Sequence, residues 1–357
     1  MAATILITGA TGLIGFRILL AALAAGHSVR YTVRSEDKAQ IVSSNPAVKK
    51  LAPGNRLSAV VIPDFTIDGA FDSALVGGVT HIIHAGTPVA VPTYDPITQI
   101  FQPTVNTTSS LLSSALKTPS VQRVIITSSI VGNLGHPSPA TSVSAVSVSA
   151  VSVSAVSVSA TTRPLLPNPL PSTFSDVFES YILGKMVELH NTDEFVKTRN
   201  PHFTVSHVVP GYVFGRNELA LDAAAMQTQN SSNNFLMVGL LGRTLPMPLH
   251  GSFAHVDDVA DMHLRVAFLD PAAHSDLPQD FGIATKVDYA TFFDHVKKAF
   301  PKAVAAGVLK EGTVPTLPVN FDASESEKLL GRKLKSFESA VIDVAGQYLE
   351  TMGVEKA

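Results

Sequence analysis

Thr4-Ile5-Leu6-Ile7-Thr8-Gly9-Ala10-Thr11-Gly12-Leu13-Ile14-Gly15 is the stretch whose reading decides the fold. Its first half is a short apolar, β-prone run of the kind that becomes a buried parallel strand. Its second half spaces three glycines evenly and runs into Phe16 to Ala25, a helix-forming segment closed by Gly26. The glycines have separable jobs. Gly9 permits a tight strand-to-helix turn, Gly12 lets the backbone approach a pyrophosphate, and Gly15 allows close helix–strand packing. The pyrophosphate then sits against free amides at the positive end of the helix. Glycine spacing alone also fits an ordinary βα turn. The strand before it and the helix after it select the dinucleotide reading, with Ala10, Thr11, Leu13 and Ile14 as further contacts.

The whole chain is consistent with that start. Its 357 residues are enough for one large α/β domain and a smaller lobe. With 45% hydrophobic and 15% charged residues it has the balance of a globular enzyme rather than of a disordered chain. A net charge of -3 argues against electrostatic capture of nucleic acid or an anionic membrane. No stretch approaches the roughly 18 to 20 apolar residues of a membrane span. A strand beginning near Ala2 leaves no room for a cleavable leader. The absence of cysteine excludes disulfides, thiolate metal sites and a cysteine nucleophile. Together these features predict a cytoplasmic protein.

A second strand, Ser28 to Val33, follows the first helix, and the residue after it reads the ribose. An acidic side chain there would accept from a 2′-hydroxyl. This chain has Arg34, with Lys38 one helical turn later, which suits a 2′-phosphate. NADPH is therefore expected over NADH. Val60 to Phe65 reads as the third strand, placing Asp64 at its carboxyl end to meet the adenine amino group, with Phe65 beside it.

Val79 to His84 reads as a fourth strand, leading into Ala85-Gly86-Thr87-Pro88, where the backbone can pass close to the cofactor. Phe101 to Leu116 reads as a helix. Val124 to Thr127 then delivers Ser128-Ser129 to the carboxyl edge of the sheet, where open α/β folds bind ligands. Downstream, Tyr181-Ile182-Leu183-Gly184-Lys185 starts a helix expected to reach about Thr198. Tyr and Lys at i and i+4 share one helix face, about 6 Å apart along the axis. A free phenol, with a pKa near 10, is a poor proton donor at neutral pH. An ammonium on the same face, together with an oxidised nicotinamide ring, stabilises the phenolate. Lys185 is also placed to hold the nicotinamide ribose. Tyr181 then gives a proton to a carbonyl oxygen as hydride reaches the carbon, while a serine hydroxyl holds that oxygen.

These segments resemble the extended short-chain dehydrogenase/reductase family over nearly the whole chain. The subgroup of dihydroflavonol reductase, cinnamoyl-CoA reductase and methylglyoxal reductase type is the nearest in appearance. The resemblance is carried by Thr8 to Gly15, Val33-Arg34-Ser35, His84 to Pro88, Thr127-Ser128-Ser129, Tyr181 to Lys185, Pro210 to Gly215 and His255 to Ala260. It implies a Rossmann-type doubly wound parallel sheet with a smaller C-terminal substrate lobe. It selects Ser129 over Ser128 as catalytic and adds Thr127, Pro210 and Val213 as cofactor neighbours, the last two in a loop after a sixth strand. His255 and Asp257-Asp258 read as helix-capping and lobe contacts rather than metal ligands.

The expected division is residues 1–215, with 251–284 returning to them, for the nucleotide domain. Residues 216–250 and 285–357 form the smaller lobe, with Asn217 to Met226, Asn233 to Leu241, Tyr289 to Phe300 and Ser324 to Met352 as its main elements. The span from Ser129 to Tyr181 is longer than relatives of this type have. The excess is a repeat, Ser-Val-Ser-Ala-Val, from Ser142 to Ala160. An odd period reverses side-chain parity at each unit, so the valines cannot hold one face of a strand. The repeat therefore reads as an inserted loop, dispensable for folding and either inert or a lid over the substrate, followed by a mobile proline-rich stretch, Arg163 to Pro171.

Substrate is expected between the lobes, against Pro88, Val89, Ile130, Val131, Tyr212, Met226 and Phe235. That largely apolar lining suits a small to medium aldehyde or ketone. The chain is read as a monomer or homodimer with no nucleic-acid or membrane partner and no metal. Alternatives are a nucleotide-sugar epimerase or dehydratase on the same fold, or a non-catalytic NADP-sensing regulator. Arg34 argues against the first, and the retained Tyr181 and Lys185 against the second.

Overall fold

The computed structural model describes residues 2–135, 158–270 and 276–354. Seven strands form one parallel sheet. Their order is Phe281–Ile283, Thr204–Pro210, Arg123–Thr127, His81–His84, Thr4–Thr8, Ser28–Val33 and Leu57–Val61. The first strand is central, and the order reverses beside it, which creates the crevice where such sheets bind ligands. Ile5, Ile7, Ile82, Ile83, Ile125 and Val208 are fully buried, because helices cover both faces of a parallel sheet. On one face, helix Leu13–Ala24 packs against helix Val256–Ala267. On the other, helix Gln102–Leu116 packs against helix Val177–Arg199.

The smaller lobe has its own aromatic core, with Phe214, Leu236, Phe253, Tyr289, Phe292, Phe337 and Val341. Within 251–284, helix Val256–Ala267 and strand Phe281–Ile283 return to the large sheet. Strand Ser252–His255 does not. It pairs with Tyr212–Phe214 and Thr285–Lys286 in a small sheet between the two cores.

Several boundaries differ from the sequence expectation, each for a local reason. The third strand stops at Val61. Pro63 has no N–H to donate, and Asp64 folds back so that its Oδ1 accepts from the Thr66 amide at 2.8 Å and hydroxyl at 2.6 Å. The helix carrying Tyr181 begins a turn earlier, because Asp176 caps it by accepting from the amides of Phe178 and Glu179. Of Asn217 to Met226 only Ala223 onward is helical, capped by Asp222. Asn217 instead turns its side chain onto the Leu219 amide. The long C-terminal helix is two, Ser324–Leu330 and Phe337–Thr351, separated at Gly331 with φ +67°.

Most of the Ser-Val-Ser-Ala-Val repeat lies outside the described residues, but its last three residues do not, and they correct the reading of a dispensable loop. Val158–Ser159 pairs with Phe321–Asp322 of the smaller lobe. Ala160 is buried, and Asn133 Nδ2 donates to the carbonyls of Ala160 at 3.0 Å and Thr162 at 2.7 Å. The start of the proline-rich stretch is likewise tied down. Arg163 is ion-paired to Asp193 and Asp280, and the His190 ring bonds the Pro164 carbonyl at 2.8 Å. Deleting Ser142 to Ser157 is expected to leave the melting temperature within a degree or two of the parent, whereas extending the deletion to Ala160 lowers it by several degrees. Equal melting curves for the two deletions would remove the structural role of Ala160.

Candidate active site

The glycine turn is built as its residue types require. Gly9 has φ +74°, and a Cβ there would lie 2.2 Å from the Ala85 carbonyl oxygen. A Cβ on Gly15 would lie 2.2 Å from the Gly9 carbonyl oxygen. Gly12 is different, since a Cβ there would meet only Gly9 O, at 3.5 Å. The space over Gly12 is open, no side chain caps the helix it starts, and no acidic residue occupies that helix's first turn. This leaves free amides, a positive helix end and room for a diphosphate, so the residues fit a dinucleotide. Gly86 belongs to the same construction, since a Cβ on it would sit 2.8 Å from Thr8 Oγ1.

At the end of the second strand, Arg34 and Lys38 are both exposed, and neither side chain has a partner among the described residues. That is the arrangement expected of cations waiting for a phosphate. Arg34→Ala should weaken NADPH by roughly 10- to 100-fold, the worth of a charge-assisted phosphate contact, and NADH hardly at all. Equal losses for both cofactors would show that Arg34 does not read the 2′-phosphate. Asp64 lies beyond the strand end with Oδ1 engaged by Thr66, and Phe65 packs on Phe71 with ring centroids 5.3 Å apart.

Lys185 is 1% exposed and closely held. Its Nζ donates to Thr87 Oγ1 at 2.9 Å and to the Thr127 carbonyl at 2.8 Å, and it lies 3.4 Å from Glu188 Oε2. Thr127 is in turn fixed by a 2.7 Å bond between its hydroxyl and His263 Nε2. The structure thus ties both Thr87 and Thr127 to the lysine. The Ser129 hydroxyl lies against the Tyr181 phenol, and Ser128 turns inward to Glu188 Oε2 at 3.4 Å. Burial pushes the Tyr181 phenol above its ordinary pKa; contact with Ser129 works against that shift, and the charge of Glu188 adds to it. The lowering expected of the Tyr/Lys pair includes the positive nicotinamide ring of the oxidised cofactor, and this upward shift belongs to the protein by itself. The ammonium is drawn toward Glu188 and the two threonine oxygens.

Beside Tyr181 stands Phe178, whose ring centroid is 6.4 Å from Tyr181 and 6.1 Å from His250. Tyr212 stands edge-on to Phe235 at 5.6 Å, and its buried hydroxyl has no partner among the described residues. Burial raises Tyr212, as does the nearby Tyr181. Pro88 and Val89 lie on the accessible loop after the fourth strand. Other expected contacts are placed elsewhere. Ile130 and Val131 are buried against Ile182 and Met186, and Met226 is in the core of the smaller lobe, because each meets an apolar neighbour before it can reach the cleft. Pro210 and Val213 are not in a loop. Pro210 ends one strand and Val213 sits inside the next, both buried, and only Gly211 separates the two strands.

Sequence reasoning missed Phe178, His250, Glu188 and His207. Phe178 and Glu188 lie one turn on either side of the Tyr181–Lys185 pair on the same helix, a spacing that was there to be read. His255 and Asp257-Asp258 cap and pin the helix they start: His255 Nδ1 accepts from the Asp257 amide, and Asp258 pairs with Arg332 at 2.6 Å. Among the described residues, no three His, Cys, Asp or Glu side chains form a cluster able to hold a metal. No helix of these residues is long and apolar enough to cross a membrane.

A glycine turn and a Ser129, Tyr181, Lys185 set at the carboxyl edge of a doubly wound sheet define a dinucleotide-dependent oxidoreductase. The NAD dependent epimerase/dehydratase family profile matches residues 5–153. Ketoreductase CTB6 of Cercospora nicotianae is 34% identical, over 97% of this chain and 95% of its own length. A putative NADPH-dependent methylglyoxal reductase, GRP2 of Candida albicans, is 27% identical over 97% of this chain and 98% of that one. Yeast methylglyoxal/isovaleraldehyde reductase Gre2, solved in complex with NADPH, shares the fold with a TM-score of 0.75 at 22% identity, over 98% of this chain and 99% of that one. The chain belongs to this epimerase/dehydratase family, the extended short-chain dehydrogenases/reductases.

Proposed function

We propose that the protein is an NADPH-dependent reductase that converts the carbonyl of an aldehyde or ketone to an alcohol, on a small to medium and largely apolar substrate. The observation that carries this reading is that one helix places Tyr181 one turn from a buried Lys185, whose Nζ is held by Thr87 and by Thr127, two residues before Ser129. When bound, NADPH supplies the hydride. The glycine turn would hold its diphosphate, Arg34 and Lys38 its 2′-phosphate, and Lys185 the nicotinamide ribose. Ser129 donates a hydrogen bond to the substrate oxygen and fixes it beside Tyr181. Tyr181 passes its proton to that oxygen as negative charge develops there. Lys185 then stabilises the phenolate left on Tyr181. Phe178, Tyr212 and Phe235 supply apolar faces for the substrate body, which supports ketoreductase and carbonyl reductase activity over chemistry on a charged sugar nucleotide. The absence of cysteine supports work in the reducing cytoplasm.

The test is loss of reduced-nicotinamide absorbance with NADPH, then NADH, across aldehydes, ketones and UDP-sugars. Net NADPH oxidation with ketones or aldehydes is expected. Turnover of a UDP-sugar without net cofactor consumption would overturn the reading in favour of an epimerase.

A further inference from the structure

A line of side chains alternating in charge runs from the surface to the catalytic lysine. Asp193, half exposed, holds Arg163 at 2.7 Å, and Arg163 holds Asp280 at 2.6 Å. Asp280 Oδ1 accepts from both the amide of His207, at 2.8 Å, and its Nδ1, at 3.0 Å. The other ring nitrogen of His207 faces Glu188 Oε1 at 3.4 Å, and Glu188 Oε2 faces Lys185 Nζ at 3.4 Å. Lys185, Glu188 and His207 are no more than 2% exposed, and Asp280 is 8% exposed. These groups come from four separate places in the chain, the stretch after the repeat, the catalytic helix, the strand that holds His207 and the residue before strand Phe281–Ile283. They converge on one ammonium.

From this geometry we propose that Glu188 and His207, backed by Asp280 and Arg163, are positioning residues that set how much of the Lys185 charge reaches Tyr181. The proposal rests on the reading that Lys185 stabilises the Tyr181 phenolate. Burying ions costs several kcal/mol each before pairing. A buried lysine needs one counter-charge, which Glu188 alone provides. A histidine and a second carboxylate behind it are unnecessary for holding the lysine, but they do have an effect on Glu188. Glu188 Oε1 and His207 Nε2 have no hydrogen-bond partner and face each other, so the carboxylate is shared between the ammonium and the imidazole. Burial works against a charged His207, yet Asp280 and Glu188 push it up to about 9, which keeps it charged at neutral pH. With His207 charged, Glu188 is neutralised from behind and the lysine acts on Tyr181 as a cation. With His207 neutral, Glu188 cancels the ammonium and no surplus positive charge acts on Tyr181. The other titratable groups facing Glu188 are Tyr181 itself and His84. His84 is bonded to Thr8 Oγ1 at 2.7 Å, and burial and Lys185 push it down to about 4, so it stays neutral.

The test is the pH profile of alcohol oxidation by the holoenzyme, in which Tyr181 works as the base and the rate rises as its proton leaves. His207→Gln should move the midpoint upward by roughly one pH unit, with the KM for NADP unchanged within about twofold. Glu188→Gln removes the charge that raises Tyr181 and should move the midpoint downward by roughly one pH unit, and the double variant should match Glu188→Gln rather than add to it. Profiles that superimpose on the parent, or additive effects, overturn the proposal. If the variants fail to fold, nitrogen NMR of His207 in the unmodified protein decides it. A doubly protonated ring at about pH 7.5 is expected, and a neutral ring there overturns the proposal. Unshifted profiles alongside an inactive Tyr181→Phe would defeat this proposal alone, whereas an active Tyr181→Phe would defeat the catalytic reading beneath it.

Discussion

Tyr181→Phe is expected to lower turnover by at least about a hundredfold while leaving NADPH affinity within about twofold. The change removes one oxygen. Its ring keeps its place between Phe178 and the buried face of the helix, so the packing that positions Lys185 survives. What is lost is the proton that must reach the substrate oxygen as hydride arrives at the carbon. Lys185 cannot replace it, because its Nζ is engaged by Thr87, Thr127 and Glu188. Tyr212 cannot either, since its buried hydroxyl has no partner among the described residues to stabilise the phenolate that proton donation would leave. Steady-state rates and a fluorescence titration of NADPH on the same preparation check both halves. Undiminished turnover would remove Tyr181 from the mechanism.

The second large effect separates two glycines of the same turn. Gly12→Val should weaken NADPH by on the order of a hundredfold or more and leave the melting temperature within a few degrees. Gly12 has φ -112° and ψ 166°, a conformation valine adopts readily, and its Cβ would meet only the Gly9 oxygen, at 3.5 Å. The new methyl groups therefore enter the space reserved for the diphosphate and not the protein core. Gly9→Val should instead prevent folding. Its φ of +74° is closed to a β-branched residue, and its Cβ would lie 2.2 Å from the Ala85 backbone. Normal NADPH affinity in Gly12→Val would mean that the diphosphate does not lie over that turn.

How far the sequence carried this reading depended on whether a feature is local. The glycine turn, the strand ends at Val33 and Thr127, and the Tyr181–Lys185 spacing are set by neighbours within a few positions, and local propensity reads them. The third strand was overrun because Pro63 and the Asp64 turn outweighed an apolar run. Ile130, Val131 and Met226 were assigned to the cleft because an apolar residue near a site in sequence looks the same whether it faces ligand or core. Only the tertiary packing against Ile182 and the small-lobe aromatics decides that. The line from Arg163 to Lys185 joins residues that no periodicity connects, and the pairing of Val158 with Phe321 depends on a lobe more than a hundred positions away in sequence.

The bond from Asn133 to Ala160 has a consequence for inheritance. Asn133 precedes the Ser-Val-Ser-Ala-Val repeat, Ala160 ends it, and the two are joined to each other directly, so the placement of Ser129 and Tyr181 does not depend on how many units lie between. Slippage during DNA copying adds or removes whole units of such a repeat without shifting the reading frame. Natural length variants can therefore accumulate at this point while the unit ending in Ala160 stays locked against Asn133, and catalysis would be blind to the unit count.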